Sequence, residues 1–318
     1  MTATAPVALE SVSCLLGCPP DDEVVVRGHD RLHNLPGEFT VVRCRRCGLL
    51  RTTPRPTPEA MGFYYPAGYG PYLSTRVDES APAPAPAPAG SLGAFRRWIR
   101  EAKTHYVPPL EPGRLLEVGC GSGAYLHEMA AQGWTVEGLE FSPDAAAAAR
   151  ALGYPIQVGA LETAADPAAP YDLITGWMVV EHLHDPLAGL RKLARWTRPG
   201  GWLALSTPDA AAPEFKLFGD AWYALHLPNH LYLYDHRTLR RVLAESGWQL
   251  RRVFWHDNPN NLLMSLRFWA LDRGRTGLAE WLLDVAECRR WPRARLALGK
   301  VLGALRASGR ITVWAQRV

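Results

Sequence analysis

Two pairs of cysteines near the start of the numbering have the spacing of metal ligands. Three residues separate Cys14 from Cys18, and two separate Cys44 from Cys47. Four thiolates in two such pairs suit tetrahedral Zn²⁺. Because protein would fill all four positions and leave none for water, we predict a structural zinc ion in a zinc ribbon. The alternatives are free thiols, a ribbon without metal, and a site in which His29 or His33 replaces one thiolate.

A glycine-rich loop has the residues needed to hold a nucleotide. Leu115–Val118 predicts a buried strand that runs into Gly119-Cys120-Gly121-Ser122-Gly123. Glycines allow the backbone to approach a ligand closely, and the helix that follows favours anionic groups at its N-terminus. Glu140 stands about twenty residues further on, where a carboxylate can accept hydrogen bonds from two ribose hydroxyls. A dinucleotide (G-x-G-x-x-G/A) and a tight turn without ligand are the alternatives.

Three histidines and a glutamate follow the next strands of the pattern. Glu181 and His182 come after an apolar run, and His226 and His230 lie in an aromatic-rich stretch. Ligands of open α/β sheets lie beyond the carboxyl ends of the strands. Histidine titrates near neutrality and can take a proton from a hydroxyl, an amine or an acidic carbon. The alternatives are that Glu181 and His182 cap the next helix and that His226 and His230 are packing residues.

The segments that must position these residues alternate between strand and helix. Apolar runs predict strands near 115–118, 134–142, 154–160, 171–180, 202–208, 248–258 and 311–318, and helices near 91–106, 124–133, 143–153, 186–201 and 235–247. Such alternation implies a mostly parallel sheet covered by helices on both faces.

An Ala-Pro repeat divides the chain. Residues 81–90 read APAPAPAPAG, which forms neither helix nor sheet and acts as a semi-rigid spacer. We predict a zinc-ribbon-like domain in 1–55 and a Tyr-rich segment with the linker in 56–90. The α/β core then takes 91–255, with an insertion at 209–235, and C-terminal helices and a final strand take 256–318.

In these motifs the sequence resembles the class I S-adenosylmethionine-dependent methyltransferases. The motifs are, in chain order, EVGCGSG, then Glu140, then YDLITGWMVVEHLHDP and RPGGWLALSTPD. The resemblance implies a Rossmann-like, seven-stranded, mostly parallel sheet that ends with a reversed strand, for which ITVWAQRV is the candidate. The run CGLLRTTPRPTPEAMGFYYP is similar to a subgroup that carries a ribbon before the catalytic domain. Tyr64, Tyr65, Tyr69 and Tyr72 would cover the substrate or pack on that domain.

The resemblance also assigns roles to residues. The residues under the methionine part of the cofactor would be Glu117, Gly119, Gly121 and Gly123. Glu140 would hold the ribose, and Phe141, Ala160 and Leu161 would surround the adenine. Trp177 and Met178 would lie beside the cofactor, with Glu181 and His182 at the floor of the cleft.

The resulting expectation is methyl transfer from S-adenosylmethionine to O, C or N of a small molecule, in secondary metabolism. Attack on the sulfonium methyl is an in-line displacement, so positioning supplies much of the rate. His230 is our first candidate for general base, and His226 the second. The alternatives are an RNA methyltransferase whose ribbon binds RNA, a cofactor-binding module without turnover, and a nicotinamide dehydrogenase. The RNA reading would use a cluster of basic residues: Arg43, Arg45, Arg46, Arg51 and Arg55.

Composition and charge indicate where in the cell the protein is expected. The 318 residues carry a formal charge of +4 and six cysteines, and no stretch reaches the ~18 apolar residues of a membrane-spanning helix. We see no secretory signal and expect a cytoplasmic protein.

Residues 289–318 contain eight basic and no acidic residues, with an apolar face at Leu298, Val301, Leu302 and Leu305. We expect a cover helix packed on the sheet; the alternatives for 293–306 are an anionic membrane surface, a partner, or an acidic carrier bearing the substrate.

Overall fold

A computed structural model describes residues 7–66 and 106–318. The Ala-Pro stretch, Tyr69, Tyr72 and all but the last residue of the helix expected over 91–106 lie outside these ranges.

Strands and helices alternate through the larger part of the chain. The strands are β1 (Leu9–Glu10), β2 (Asp22–Gly28), β3 (Phe39–Cys44), β4 (Leu50–Thr52), β5 (Arg55–Pro56), β6 (Arg114–Val118), β7 (Thr135–Glu140), β8 (Ile156–Val158), β9 (Tyr171–Trp177), β10 (Thr197–Pro208), β11 (Tyr232–Leu233), β12 (Trp248–Trp255) and β13 (Arg310–Arg317). The helices are α1 (Ala124–Ala130), α2 (Pro143–Ala151), α3 (Pro186–Trp196), α4 (Pro213–Phe218), α5 (His236–Ala244), α6 (Asn260–Leu271), α7 (Thr276–Ala286) and α8 (Pro292–Ala304).

Seven strands form the central sheet in the order β12-β13-β10-β9-β6-β7-β8. Strands β10, β9, β6, β7 and β8 are parallel, and β13 runs antiparallel to both β10 and β12. Leu115, Leu173 and Ile174 are fully buried, as expected of parallel strands covered on both faces. The predicted Rossmann-like sheet with a reversed last strand is confirmed.

Capping residues begin the helices that follow the strands. Ser142 accepts a hydrogen bond from the backbone of α2, and Asp185 does so for α3. Asp235 and Thr238 form a reciprocal capping box at α5. Each cap satisfies an N–H group that a helix start leaves without a partner. These caps lie in the sequence where the predicted helices begin.

A second sheet joins the N-terminal segment to the core. Its order is β11-β4-β3-β2, so an edge strand from the 209–235 insertion completes it. The backbone N–H of Thr52 donates to Leu231 O, and its hydroxyl donates to His230 O, both at 2.9 Å. The ribbon sheet therefore extends beyond the boundary predicted at residue 55 and contacts the segment that carries the candidate base.

In chain order, helices α6 to α8 follow β12 and precede β13. In α8 the only buried residue is Gly299, and the side chains of Val301 and Leu305 are 54% and 71% exposed. Leu298 and Leu302 are half-buried, so the expected apolar face is covered only in part, and Gly299 and Gly303 make the closest approach, to Asp257 just after β12. Among the described helices, none has the length and apolar character needed to cross a bilayer.

Candidate active site and cysteine cluster

The four predicted zinc ligands come together. Cys14, Cys18, Cys44 and Cys47 place their sulfur atoms within 4.8 Å of one another, and none forms a disulfide. The sulfurs of Cys14 and Cys47 are 3.5 Å apart. A tetrahedron with Zn–S bonds of about 2.3 Å has sulfurs roughly 3.8 Å apart. The donor set and its spacing therefore fit Zn²⁺. The two remaining cysteines stand apart from it, Cys120 buried in the glycine loop and Cys288 exposed.

The arginines of the ribbon are paired with acidic residues. Arg43 pairs with Glu23, Arg45 and Arg46 with Asp21, Arg51 with Asp22, and Arg55 with Glu10. Arg51 and Arg55 are also buried. A surface that binds RNA needs cations available to phosphates. The arrangement of this cluster thus disfavours the RNA reading.

The glycine loop has the backbone that the sequence predicts. Gly119, Gly121 and Gly123 all have positive φ, at 70°, 53° and 87°. A Cβ on Gly119 would stand 2.7 Å from a methyl group of Val179. Residues with side chains rarely adopt this conformation. All three positions therefore favour glycine because of their positive φ, and Gly119 also has no room for a side chain.

Two buried carboxyl groups lie beside the loop. Glu140 accepts hydrogen bonds from the backbone N–H groups of Gly121 and Ser142, each at 2.8 Å. Burial raises its pKa, and these hydrogen bonds oppose the rise. Burial and the charge of Glu140 raise the pKa of Glu117 well above its usual range. Among the described residues Glu117 Oε2 has no hydrogen-bond partner, and a cationic ligand group would give it one.

Trp177 and Met178 occupy the end of β9. The indole N–H of Trp177 is buried without a described partner, and its ring meets Tyr125 edge-on, with centroids 5.3 Å apart. The hydroxyl of Tyr125 also has no partner within the described ranges. Met178 has φ +59°, a conformation that costs energy and concentrates at functional sites. Unpaired polar atoms and backbone strain thus converge where the cofactor is predicted.

The three residues predicted around adenine differ in placement. Phe141 is 51% exposed and stands directly after Glu140. Ala160 is partly buried, whereas Leu161 is buried in the core. A Cβ on Gly189 of α3 would lie 3.1 Å from Leu161. The side chain of Leu161 therefore packs against a helix, which leaves Phe141 and Ala160 as the better candidates.

The predicted catalytic residues form one largely buried centre. Donor atoms of Glu181, His182 and His230 lie within 4.8 Å of one another. His230 Nε2 is 4.0 Å from Glu181 Oε1, and the rings of His226 and His230 have centroids 4.9 Å apart. Residues from the turn after β9 and from the insertion thus meet beyond the carboxyl edge of the sheet.

Backbone carbonyls set the tautomers of two rings. His230 Nδ1 is 2.8 Å from Ala224 O, and His182 Nδ1 is 2.9 Å from Asn229 O. Since a carbonyl oxygen only accepts, each Nδ1 carries the proton and each Nε2 keeps its lone pair. Burial lowers the pKa of His230 well below its usual range and that of His182 to about 4. Both rings are therefore neutral at pH 7 and can accept a proton.

Glu181 provides the carboxyl group of this buried centre. Burial raises its pKa to about 8. The hydroxyl of Thr207 and the charge of Arg310 oppose this rise, although neither carboxyl oxygen has a hydrogen bond of good geometry to a described residue. It is therefore protonated at pH 7 and lies next to a neutral imidazole.

Tyr65 and Tyr125 join the site without having been predicted as site residues. The hydroxyl of Tyr65 is 2.9 Å from His182 Nδ1, and its ring centroid is 6.4 Å from that of Phe141. The sequence indicated Tyr65 only as a covering or packing residue. Tyr125 follows the glycine loop, and this position was its only signal. Tyr64, by contrast, is buried and donates to Pro36 O.

The chain is similar to known methyltransferases. A family model described as a methyltransferase domain matches residues 93–253. A ubiquinone biosynthesis O-methyltransferase of Xanthomonas axonopodis is 34% identical over 171 residues, which cover 49% of this chain and 72% of the relative. The corresponding protein of Bordetella pertussis is 28% identical over 205 residues, with 56% and 85% covered.

Two further comparisons cover different shares of the chain. A ubiquinone biosynthesis O-methyltransferase of Bordetella avium is 30% identical over 161 residues, and these cover 48% of this chain and 65% of the relative. The crystal structure of magnesium protoporphyrin IX methyltransferase from Synechocystis has a TM-score of 0.48 at 13% identity, with 81% of this chain and 97% of that chain covered.

Proposed function

The chain belongs to the class I S-adenosylmethionine-dependent methyltransferases, and from this we propose that it methylates an oxygen of a small-molecule acceptor with His230 as general base. The observation that carries the base assignment is the neutral His230 ring, whose Nε2 lone pair faces the buried centre. The similarity to O-methyltransferases supports oxygen over nitrogen or carbon. Secondary metabolism as the setting and the cytoplasm as the location are part of this proposal.

The residues at the glycine loop fit the cofactor. The unpaired Glu117 oxygen would receive the ammonium of its methionine part, and Glu140 keeps free lone pairs for ribose hydroxyls. Phe141 and Ala160 would flank the adenine, beside Trp177 and the strained backbone of Met178. When bound, the cofactor supplies an activated methyl group on sulfur.

Replacing Gly121 by arginine should weaken binding of S-adenosylhomocysteine more than about a hundredfold, because the side chain would fill the loop. Gly121 also has φ +53° and donates its N–H to Glu140. Gly153→Arg is a matched control, since Gly153 has φ +87° but nothing within 4 Å of a Cβ. Calorimetric titration measures both, and a Gly121→Arg protein that binds like wild type would refute the loop assignment.

The chain's own residues need to orient the acceptor and remove one proton. The cofactor would supply the methyl group, with loss of its carbon–sulfur bond, to the acceptor oxygen, and His230 Nε2 would take the hydroxyl proton. The sulfur would become neutral, and the protonated imidazole of His230 would carry the positive charge. The hydrogen bond from Nδ1 to Ala224 O keeps the ring in the tautomer that this step requires.

The rate should rise with pH through the titration of Glu181. Its pKa is raised to about 8, so the carboxylate becomes the major form only above that pH. An anion 4.0 Å from His230 Nε2 stabilises the imidazolium and makes His230 a stronger base. We expect kcat to increase from pH 7 to 9 in wild type and to stay flat in Glu181→Gln. A variant whose pH profile matches that of wild type would show that Glu181 does not tune the base.

We further propose that the cysteine cluster holds a structural zinc ion. Support comes from four free sulfurs within 4.8 Å of one another and from the turn at Gly48, whose N–H donates to Cys44 O. The metal would hold β2 and β3 in place, and through β4 it would support the insertion. It takes no part in the chemical step.

A screen with cofactor labelled in the methyl group tests the reaction itself. Phenolic and other hydroxylated compounds are the first acceptors to try, given the O-methyltransferase relatives. Label transferred to an oxygen supports the proposal. A protein that binds NAD and not S-adenosylhomocysteine would refute it, and transfer to carbon or nitrogen would overturn the choice of atom.

A further inference from the structure

Arg310 lies at the edge of the sheet where the substrate cleft must be. It is the first residue of β13 and pairs with Pro208, the last residue of β10. Because β13 is antiparallel, its first residue lies at the edge where the parallel strands end. Its carbonyl accepts from His256 N–H, which ties it to the end of β12.

Ionisable groups from separate segments surround this guanidinium. Those whose titration its charge affects are Glu181, Tyr223, His230, His256 and Tyr106. They come from the turn after β9, the insertion, the end of β12 and the segment before β6. Arg310 therefore faces the same centre as the candidate base.

No described residue makes a direct contact with the charge of the Arg310 guanidinium. Within the described ranges its guanidinium takes part in no ion pair or side-chain hydrogen bond. Glu181 is the acidic group whose charge acts on Arg310, but the two side chains form no ion pair. The half-buried guanidinium therefore has no direct anionic partner, although charges withdrawn from water are normally paired.

The strand order separates Arg310 from the cofactor loop. Three strand spacings lie between β13 and β6, at whose end the loop begins. At about 4.8 Å per spacing, this is roughly 14 Å. The anion that Arg310 would meet is therefore on the acceptor, not on the methionine part of the cofactor.

We propose that Arg310 binds a carboxylate of the acceptor and so selects acidic small molecules for methylation. This inference rests on the proposed function, because it assumes an acceptor in the cleft. A planar guanidinium matches a carboxylate with two parallel hydrogen bonds. A carboxylate held there places the rest of the acceptor between Arg310 and the cofactor, beside His230.

The test uses a panel of small hydroxylated carboxylic acids, each paired with its primary amide. Binding to the full chain is measured in the presence of saturating S-adenosylhomocysteine, for wild type, Arg310→Gln and Arg306→Gln. Arg306 is an exposed arginine on the neighbouring loop and serves as the matched control. We expect at least one acid to bind wild type and the control at least about tenfold more tightly than its amide, and Arg310→Gln to lose this preference.

Several results would overturn the inference. One is that wild type binds no acid of the panel more tightly than its amide. The other is that Arg310→Gln still binds the acids more tightly than their amides. The melting temperature of the ligand-free variant gives an independent readout. Removing a half-buried charge that has no direct partner should raise it, whereas a fall would assign Arg310 a structural role. Failure of wild type to bind S-adenosylhomocysteine would instead refute the proposed function.

Discussion

Replacing His230 by glutamine is expected to lower kcat by about a hundredfold to ten-thousandfold, the range lost when a general base is removed. The affinity for S-adenosylhomocysteine should stay within about twofold, because the cofactor loop lies at β6, beyond the centre that holds His230. Glutamine can keep a hydrogen bond to Ala224 O but has no basic nitrogen. The expected result is therefore a loss in kcat with little change in cofactor binding.

Two further variants separate the roles of the histidines. His226→Gln should lower kcat less, since His226 stands outside the set of donor atoms of Glu181, His182 and His230 that lie within 4.8 Å of one another. His127→Gln is a matched control, because His127 is exposed on α1 and contacts Tyr154. Rapid-quench measurements with a methylated acceptor give the rates. Full turnover in His230→Gln would exclude His230 as the base.

Loss of the proposed zinc ion is expected to have the largest effect on stability. Structural zinc sites contribute about 10–16 kcal/mol of apparent binding free energy at pH 7, and this energy is folding energy. Cys44→Ser removes a ligand at the end of β3, which carries β2 and β4 on its two edges. We therefore expect the N-terminal sheet to unfold and to become sensitive to protease.

The unfolded ribbon should also reduce catalysis. Thr52 holds the backbone of His230 and Leu231 through two hydrogen bonds, so the base loses its support when β4 unfolds. Binding of S-adenosylhomocysteine should persist, because β6 and β7, which flank the glycine loop, belong to the seven-stranded sheet and not to the ribbon sheet. Cys288→Ser is the control, since Cys288 is exposed and outside the cluster. Elemental analysis that finds no zinc in protein with an intact ribbon would contradict the assignment.

Much of the core could be predicted from local patterns. The buried strands are apolar runs, the helices start at capping residues, and Gly119, Gly121 and Gly123 occupy a loop that requires positive φ. Each of these signals is contained in a few neighbouring residues. Leu161 shows the limit, because a motif position alone does not reveal that its side chain packs against Gly189.

The sequence by itself therefore determined the alternation of strands and helices, the glycine loop with Glu140 beside it, and the grouping of the four cysteines, since their physical causes are local. Tertiary structure alone decided that the two-residue strand β11 completes the ribbon sheet, and that ribbon arginines are paired with acids. It also placed Arg310 beside Glu181, although more than a hundred residues separate them. These features depend on contacts between distant segments, and no periodicity or spacing along the chain encodes such contacts.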